Sequence, residues 1–369
     1  MKLMKTTEAV GQVLCHDITQ IIPGVKKDAV FRKGHIITKE DIPVLLSVGK
    51  ETIYIWENDE TMMHENEAAE VLYRMSACGT NSNETDGERH CEAAESGVFG
   101  GTASKMHPSP VKEGKIEVIA DCDGLLKVDS EKLKKVNSFG EMMIATRHGN
   151  TTVKKGDKLA GTRIIPLVIK KDKLEAASHI CDDGPILDIK PFVVRKAAII
   201  TTGNEVYHGR IHDAFTPVIE KKIAEFGAQM MFHEVFDDDD QKITDGCLRA
   251  IEAGAEIVFC TGGMSVDPDD KTPLAIKNTG ARIVSYGSPV LPGAMFLLSY
   301  YDAGDRLGPI CGLPGCAMYN KRTIFDIVLP RLMACDMILA DELAGLGEGG
   351  LCLNCDVCTF PNCGFGKGF

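Results

Sequence analysis

Two glycine-containing segments combine backbone freedom with polar side chains, which makes them the first candidates for chemistry. Thr201-Thr202-Gly203-Asn204-Glu205 and Thr261-Gly262-Gly263-Met264-Ser265 each follow an apolar run typical of a buried strand. Glycine lets the backbone approach a ligand closely, and successive amide N–H groups in such a turn can hold an anion. Neither segment has the G-x-G-x-x-G pattern or the P-loop lysine, so nicotinamide cofactors and ATP hydrolysis are not favoured. Each turn taken alone fits ordinary strand-to-helix geometry equally well.

Carboxylates follow the same predicted strands. Glu205 ends the first segment, Asp237 to Asp240 follow a second strand, and Asp267, Asp269 and Asp270 follow the Gly-Gly segment. Because parallel strands of an open sheet end at one edge, these groups are expected to converge there. Oxygen ligands beside a phosphate suit Mg²⁺. We interpret Glu205 and Asp270 as functional, whereas helix capping is the simpler interpretation of Asp238 to Asp240.

The elements that must position these segments begin at Lys196. From there apolar strands alternate with helices, a pattern typical of crossover units. It predicts an α/β fold whose mostly parallel sheet is covered by helices on both faces, a three-layer α/β/α arrangement preceded by smaller β-rich modules. The segment from Gly79 to Gly114 has almost no large apolar residues and is predicted to be a mobile insertion.

Composition shifts along the chain predict five parts. They are a small α+β module at 1–60, a helix plus flexible insertion at 61–114, a β-rich module at 115–195, the α/β domain at 196–338, and a Gly/Cys-rich tail at 339–369.

The overall composition excludes several classes of protein. Lys+Arg is 41 and Asp+Glu is 53, which gives a net charge of −12. Such a balance argues against a general nucleic-acid binder and against a protein held on anionic lipid by charge. No apolar run is long enough to cross a membrane, and the first residues lack the apolar core of a signal peptide, so we expect a cytoplasmic location.

The tail carries a separate candidate site. Cys352, Cys355, Cys358 and Cys363 place four thiols within twelve residues, behind the Gly-rich stretch Gly345 to Gly350. This density suits zinc or an iron–sulfur cluster. The spacing differs from the bacterial ferredoxin run, and a flexible tail of reduced thiols is the alternative.

The ordered set TTGNEV, FDDDD, TGGMSVDPDD and GLPG resembles the molybdopterin-binding domain of molybdenum cofactor biosynthesis, in the MoeA/MogA-like superfamily. The resemblance covers roughly residues 196–338 and is greatest to the molybdopterin molybdenumtransferases; the adenylyltransferases share the domain. It implies binding of molybdopterin or its adenylylated form, with Mg²⁺.

The resemblance also implies roles for particular residues. Glu205 matches an acidic residue of the active pocket, and Asp237 or Asp238 matches the acidic residue after the second strand. Asp270 matches an aspartate associated with metal or molybdate. Glu205, Asp237 and Asp270 are thus the catalytic candidates, with Glu205 and Asp270 as Mg²⁺ ligands. The candidates for cofactor binding are Thr202, Gly203, Asn204, Gly262, Gly263, Met264, Ser265, Pro292, Gly293, Leu313, Pro314 and Gly315.

Three departures from the family pattern bear on the reaction. Asp267 replaces a glycine after the Gly-Gly segment, Ala294 stands where the family has a lysine, and Cys316-Ala317 replaces an Asn-Pro pair. A lysine suits phosphate or molybdate as a point charge, so its loss bears directly on molybdenum insertion.

Two functions therefore remain open. The first is Mg²⁺-assisted molybdenum insertion or cofactor modification. The second is a non-catalytic carrier, storage or sensor protein for the molybdenum cofactor. An electron-transfer protein built around the cysteine tail would leave the α/β pocket unexplained. The resemblance further implies a small pterin and molybdate as ligands, a homodimer, and a molybdoenzyme or maturation factor as partner.

Overall fold

The computed structural model describes residues 2–22, 26–55, 59–79, 105–265, 267, 270–304 and 306–368. Most of the predicted mobile insertion, residues 80–104, lies outside the described residues. The chain divides into two compact units. The first unit consists of residues 1–121, 128–147 and 155–188, and the second of residues 122–127, 148–154 and 189–369.

The described residues from Lys2 to Lys190 form short elements, mostly strands. In chain order they are β1 Lys2–Lys5, β2 Ile18–Ile22, β3 Lys26–Phe31, α1 Asp41–Ser47, β4 Thr52–Ile55, β5 Met62–His64, α2 Glu65–Ala77, β6 Met106–Pro108, β7 Lys115–Ala120, β8 Gly124–Val128, α3 Ser130–Ser138, β9 Met142–Thr146, β10 Thr151–Val153, β11 Lys158–Ile164, β12 Val168–Lys170, α4 Lys171–Ser178 and β13 Leu187–Lys190.

An antiparallel sheet in the order β6-β7-β11-β9 is the main sheet of the first unit. The helix α2 packs on β7 and β11, with Ala68, Ala69, Leu72 and Met75 fully buried, as the apolar stripe of the sequence predicts. One expectation was wrong here: Met106–Pro108, inside the predicted insertion, is a strand paired with β7. Ladder hydrogen bonds order these residues although their sequence is poor in apolar side chains.

The remaining elements form most of the second unit. They are β14 Lys196–Thr202, α5 Asn204–Tyr207, α6 Phe215–Ala224, β15 Gln229–Phe236, α7 Asp240–Glu252, β16 Ile257–Thr261, α8 Thr272–Asn278, β17 Arg282–Tyr286, β18 Leu297–Asp302, β19 Leu307–Leu313, α9 Ile324–Met333 and α10 Ala340–Gly345.

A six-stranded sheet in the order β15-β14-β16-β19-β18-β17 organises this unit. The pairs β15–β14, β14–β16 and β16–β19 are parallel, whereas β18 pairs antiparallel with both β19 and β17. One buried cluster joins the sheet to α6 and α9, and a second joins its other face to α7 and α8. The predicted three-layer α/β/α arrangement with a mostly parallel sheet is confirmed.

The helix α9 begins later than the sequence pattern suggested. The apolar pattern predicts a helix over about 315–335, but Gly315–Ala317 is a single 3-10 turn and α9 starts at Ile324. A capping box sets this start: the Thr323 side chain accepts from the Phe325 N–H, and the Asp326 carboxylate accepts from the Thr323 N–H.

The tail is docked in the second unit and does not form a separate part. The Leu291 N–H donates to Gly350 O and the Cys352 N–H donates to Leu291 O, both at 2.8 Å. Phe365 is 5% exposed within the cluster that contains α9. The Gly-rich stretch 345–350 packs closely at its end, because a Cβ on Gly350 would lie 2.4 Å from Pro289 O. Among the described residues, no helix is long and apolar enough to cross a membrane.

Candidate functional site

The candidate site lies where the parallel strands of the second unit end. Thr202, Thr261 and Leu313 are the last residues of β14, β16 and β19, which are adjacent in the sheet. In register, Thr201 is opposite Thr261, which is opposite Leu313. The three predicted segments that follow these strands therefore lie side by side at one edge of the sheet.

Two glycines allow the first two segments to approach each other. Gly262 has φ +82°, and a Cβ there would lie 2.1 Å from Thr202 O. Gly263 has φ +54°, and its Cβ would lie 2.7 Å from Thr272 Oγ1. A side chain at either position requires movement of the neighbouring backbone or of a buried threonine, so the glycines are needed for this geometry.

Buried threonine hydroxyls hold the approach in place. Thr202 Oγ1 donates to Thr261 O at 3.1 Å and lies 3.0 Å from Thr272 Oγ1. Thr272 Oγ1 donates to Gly262 O at 2.9 Å, and the Thr272 N–H donates to Gly263 O at 3.2 Å. Thr202 is 4% exposed and Thr272 is fully buried. Thr272 could not be predicted from the sequence, because the Thr-Pro pattern there is typical of an ordinary helix start.

The backbone of the Gly-Gly segment presents amide groups that the fold does not use. Among the described residues, the N–H groups of Gly263, Met264 and Ser265 have no hydrogen-bond acceptor. Successive amides around left-handed residues form a concave anion site. The Met264 side chain takes no part, since it is buried against Gly312, where a Cβ would lie 2.5 Å from Met264 Sδ. Ser265 itself is exposed.

The predicted catalytic carboxylates surround this edge without forming one cluster. Glu205 is exposed on α5, directly after Gly203 and Asn204. Asp237 follows β15; its Oδ2 accepts from Lys242 Nζ at 2.8 Å, while its buried Oδ1 has no partner in the described structure. Asp270 is half-buried just before α8.

The described residues contain no group of three His, Cys, Asp or Glu side chains placed to hold a metal ion. Glu205 and Asp270 therefore do not form a complete cation site by themselves. Mg²⁺ commonly takes one or two carboxylates and completes its shell with phosphate and water oxygens. The carboxylates of Glu205 and Asp270 are of the donor type that Mg²⁺ takes.

The other two predicted turns reach the same edge. Pro292 and Gly293 precede β18, and Leu297 of that strand is opposite Gly312 of β19, so the turn lies near the end of β19. Gly293 has φ +133°, and its Cβ would lie 2.4 Å from Ile324 Cγ2. Leu313 and Pro314 are buried, whereas Gly315 is exposed with open space beside it.

A tyrosine that the sequence reading missed completes the Gly-Gly segment. Tyr286 Oη donates to Met264 O at 3.2 Å. Burial raises the pKa of Tyr286, and the negative charge of Asp270 raises it further. Tyr286 therefore stays a neutral hydrogen-bond donor to the Gly-Gly segment, near Asp270.

A second polar cluster lies beside β14, and it was not predicted from the sequence. Asp213 accepts from Thr201 Oγ1 at 2.9 Å and from Thr216 Oγ1 at 2.6 Å, and lies 3.5 Å from His233 Nε2. Burial raises the pKa of Asp213, but hydrogen bonds led by those of Thr216 outweigh it and hold the pKa below its ordinary value. Next to it, Thr261 Oγ1 is buried with no partner in the described structure.

The tail cysteines surround one cavity but do not form a metal centre. Cys352 and Cys363 are half-buried against the core, while Cys355 and Cys358 are exposed, and all four line a cavity of about 230 Å³. No three of them are placed to hold a metal. The predicted zinc or iron–sulfur site is therefore not supported: Phe365 and the backbone pairing at Leu291 position the tail.

Residues 198–334 match a family model described as "Probable molybdopterin binding domain". The second unit carries a molybdopterin-binding domain of the molybdenum cofactor biosynthesis kind. The match includes the segments after β14, β16 and β19, as the ordered motifs of the sequence predicted. Residues 3–57 match a different model, described as a domain of unknown function.

The curated relatives match this chain over only part of their length. The chain is 29% identical over 90 residues to a "Putative competence-damage inducible protein" of Bacillus velezensis, covering 24% of this chain and 21% of that protein. It is 27% identical over 146 residues to a molybdopterin molybdenumtransferase of Staphylococcus epidermidis, covering 36% of this chain and 34% of that protein. The alignments thus span about a fifth to a third of the length of these relatives.

Two solved structures are similar to part of this chain. The tungsten cofactor synthesizing protein MoaB from Pyrococcus furiosus is 19% identical with a TM-score of 0.30, covering 33% of this chain and 82% of that one. The molybdopterin biosynthesis Mog protein from Mycobacterium ulcerans is 18% identical with a TM-score of 0.30, covering 41% and 99%. The assignment of the molybdopterin-binding domain rests on the family match.

Proposed function

We propose that this protein binds the phosphate-bearing end of molybdopterin, or of its adenylylated form, between segments 202–205 and 262–265. The observation that carries the proposal is the row of three amide N–H groups, Gly263 to Ser265, that have no acceptor among the described residues. A phosphate oxygen accepts hydrogen bonds from such a row without any change in the fold. The exposed Ser265 hydroxyl adds a fourth donor beside the same ligand.

The acidic side chains have a role only if a cation accompanies the anion. Glu205 and Asp270 would hold Mg²⁺, which bridges to the phosphate and neutralises its charge. Asp237 is a poorer ligand, because Lys242 already pairs with one of its oxygens. Its second, unpartnered oxygen suits a hydrogen-bond donor on the pterin. Tyr286, kept protonated, steadies the Gly-Gly segment while the anion is bound.

The absence of a lysine at position 294 bears on which of two functions this site has. In molybdenum insertion, a lysine on the Pro292-Gly293 turn would suit phosphate or molybdate; here the exposed Ala294 follows Gly293. We propose Mg²⁺-assisted insertion or modification of the cofactor as the activity. Ala294 favours the alternative, a non-catalytic carrier, storage or sensor protein. Molybdate- and Mg²⁺-dependent turnover of bound pterin supports the enzyme, and tight binding without turnover supports the carrier.

The same proposal includes the setting in which the protein works. A cytoplasmic homodimer that passes its cofactor to a molybdoenzyme or maturation factor is consistent with a net charge of −12 and with a domain of this kind. Sedimentation at micromolar concentration tests the homodimer directly: a single species at 40.0 kDa would contradict it.

Calorimetry with anaerobically prepared molybdopterin tests the binding site. Ser265→Ala should weaken binding by about 10- to 150-fold, because one hydrogen bond to a charged group is worth about 1.5–3 kcal/mol. Gly263→Val should abolish binding, since its side chain displaces Thr272 and closes the row of amides. Ser138→Ala, an exposed serine of the first unit, is the matched control and should bind as the wild type does. Equal affinity in all four proteins would refute the site.

A further inference from the structure

A second cavity lies in the same unit, away from the pterin site. It has a volume of about 670 Å³ and runs between α6, α9, the strand β10 and the tail residues 360–367. One wall contains Arg195, which directly precedes β14, whereas the pterin segments follow the end of that strand. The seven residues of β14 separate the two by about 23 Å. A volume of this size is typical of sites for small organic ligands.

The cavity is positively charged in a chain that is strongly acidic. Five basic and three acidic side chains line it. Lys222 and Arg322 share the single carboxylate of Asp326, which both reach within hydrogen-bonding distance. This wall therefore keeps one uncompensated positive charge. The side chain of Asp326 is only 4% exposed and fixes both cations in place.

Arg195 supplies a second fixed cation. Its guanidinium donates to the carbonyl oxygens of Phe192, Val194 and Phe226 at 2.8–3.1 Å. Among the described residues no carboxylate pairs with this guanidinium, so its charge is held in place but not neutralised. A guanidinium with donors to spare is suited to phosphate.

Aromatic rings provide the remaining part of the wall. Phe192 and Phe226 meet edge to face with ring centroids 4.8 Å apart, and Phe360 meets Phe365 at 6.1 Å. The Arg322 guanidinium lies 5.1 Å from the Phe360 centroid. The rings are thus held by their neighbours and offer flat apolar surfaces beside fixed cations, an arrangement that suits a flat heterocycle carrying an anionic group.

We propose that this cavity is a nucleotide-binding site, separate from the pterin site. The phosphate would lie against Arg195, Lys222 and Arg322, and the base against the phenylalanine rings. The proposal does not depend on the pterin site, because the two share no residue and lie at different places in the unit.

Calorimetry with adenosine 5′-monophosphate, adenosine and inorganic phosphate tests the proposal on the full chain. The monophosphate should bind, while adenosine and phosphate alone should each bind at least about tenfold more weakly, because each lacks one of the two recognised parts. Lys222→Gln should weaken binding of the monophosphate by about tenfold. Lys221→Gln changes an exposed neighbour on α6 that does not line the cavity, and it should leave the affinity for the monophosphate unchanged.

Two further variants separate this cavity from the pterin site and from misfolding. Gly263→Val should keep full affinity for the monophosphate. If Lys222→Gln unfolds at a lower temperature than the wild type, Phe226→Leu is the test variant in its place. Phe232→Leu, from the opposite face of the sheet, is then the control. No binding at about 1 mM monophosphate would overturn the proposal. Loss of binding in Gly263→Val with retention in Lys222→Gln would overturn it too, by placing the nucleotide in the pterin segments.

Discussion

Thr202 connects the packing of the site to its proposed chemistry. Its hydroxyl is shared between the carbonyl of Thr261 and the hydroxyl of Thr272, and Thr272 in turn binds the Gly262 carbonyl. Carbonyl oxygens of the Gly-Gly segment are thereby drawn into the protein. The amide N–H groups that follow are left for a ligand, so a buried hydroxyl determines which side of the peptide faces the anion.

Thr202→Val tests this link. The variant keeps the side-chain shape and loses the hydroxyl, so the free energy of unfolding should fall by about 1 kcal/mol and pterin affinity should fall as well. Thr162→Val is the control, because Thr162 is fully buried and donates to Ile116 O in the first unit. Denaturant titration and calorimetry should show a similar loss of stability there with unchanged pterin affinity. Unaltered pterin affinity in Thr202→Val would contradict the account.

Asp336 stabilises the second unit by pairing with three cations. Its side chain is 6% exposed and accepts from Lys127 at 2.8 Å, from Lys190 at 2.6 Å and from Arg331 at 2.6 Å. Burial raises the pKa of Asp336, but the hydrogen bonds and charges of these cations outweigh it and lower the pKa from 3.8 to about 2. Removing the carboxylate would leave all three cations without their shared partner.

The free energy of unfolding should depend on the charge of the Asp336 carboxylate at acid pH. Since the pKa of Asp336 is lower in the folded chain, its contribution to stability is present above about pH 3.8 and is lost as the pH falls toward 2. Asp336→Asn should cost about 3–5 kcal/mol at pH 7 and remove this part of the pH dependence. Asp188→Asn, which breaks an exposed pair with Lys105, should change stability by less than about 1 kcal/mol. A similar loss in both variants would be evidence against the buried network.

Among the elements, the cysteine tail differs most from its sequence pattern. Four closely spaced thiols predict a metal centre, and the glycines before them predict a hinge. In the structure, Phe365 inserts into the core of α9, and Leu351 forms a parallel bridge with Leu291. Sequence spacing could not reveal this, because the contact depends on a residue sixty positions earlier in the chain.

Phe365→Ala should release the tail. Loss of a buried phenylalanine costs about 3–5 kcal/mol, and the tail should become the first site of limited proteolysis. Val357→Ala, at a position 78% exposed, should leave the cleavage pattern unchanged. A chelator should have no effect on the wild type, since packing and not a metal holds the tail. Cleavage of the wild-type tail on addition of chelator alone would contradict this.

The helices and strands of the α/β domain were predictable because their cause is local. Apolar runs such as Ala197 to Ile200 are buried on both faces, and α7 shows the spacing of an amphipathic helix. The glycines of the site were predictable for the same reason. Thr272, Tyr286 and Asp213 were not, because each acts through a partner on another element and has no distinctive neighbours in sequence.

At the scale of the whole molecule, the second unit contains both the proposed pterin site and the proposed nucleotide cavity. The first unit supplies a match of unknown function at 3–57 and an antiparallel sheet. Composition predicts a change from β-rich modules to the α/β domain near Lys196, and the last continuous segment of the second unit begins at residue 189. Composition did not show that segments 122–127 and 148–154 belong with the later residues, because that assignment depends on contacts between distant parts of the chain.

Hydrogen exchange with and without molybdopterin tests the central claim most directly, because it locates the ligand on the chain. The account predicts slower exchange in the peptides that contain residues 262–265 and 202–205, where amide N–H groups would donate to the bound phosphate. Peptides that contain residues 150–154 and 192–195, which line the second cavity, should exchange as before. Protection confined to those cavity peptides, or no protection in 262–265 at saturating pterin, would contradict the proposed site.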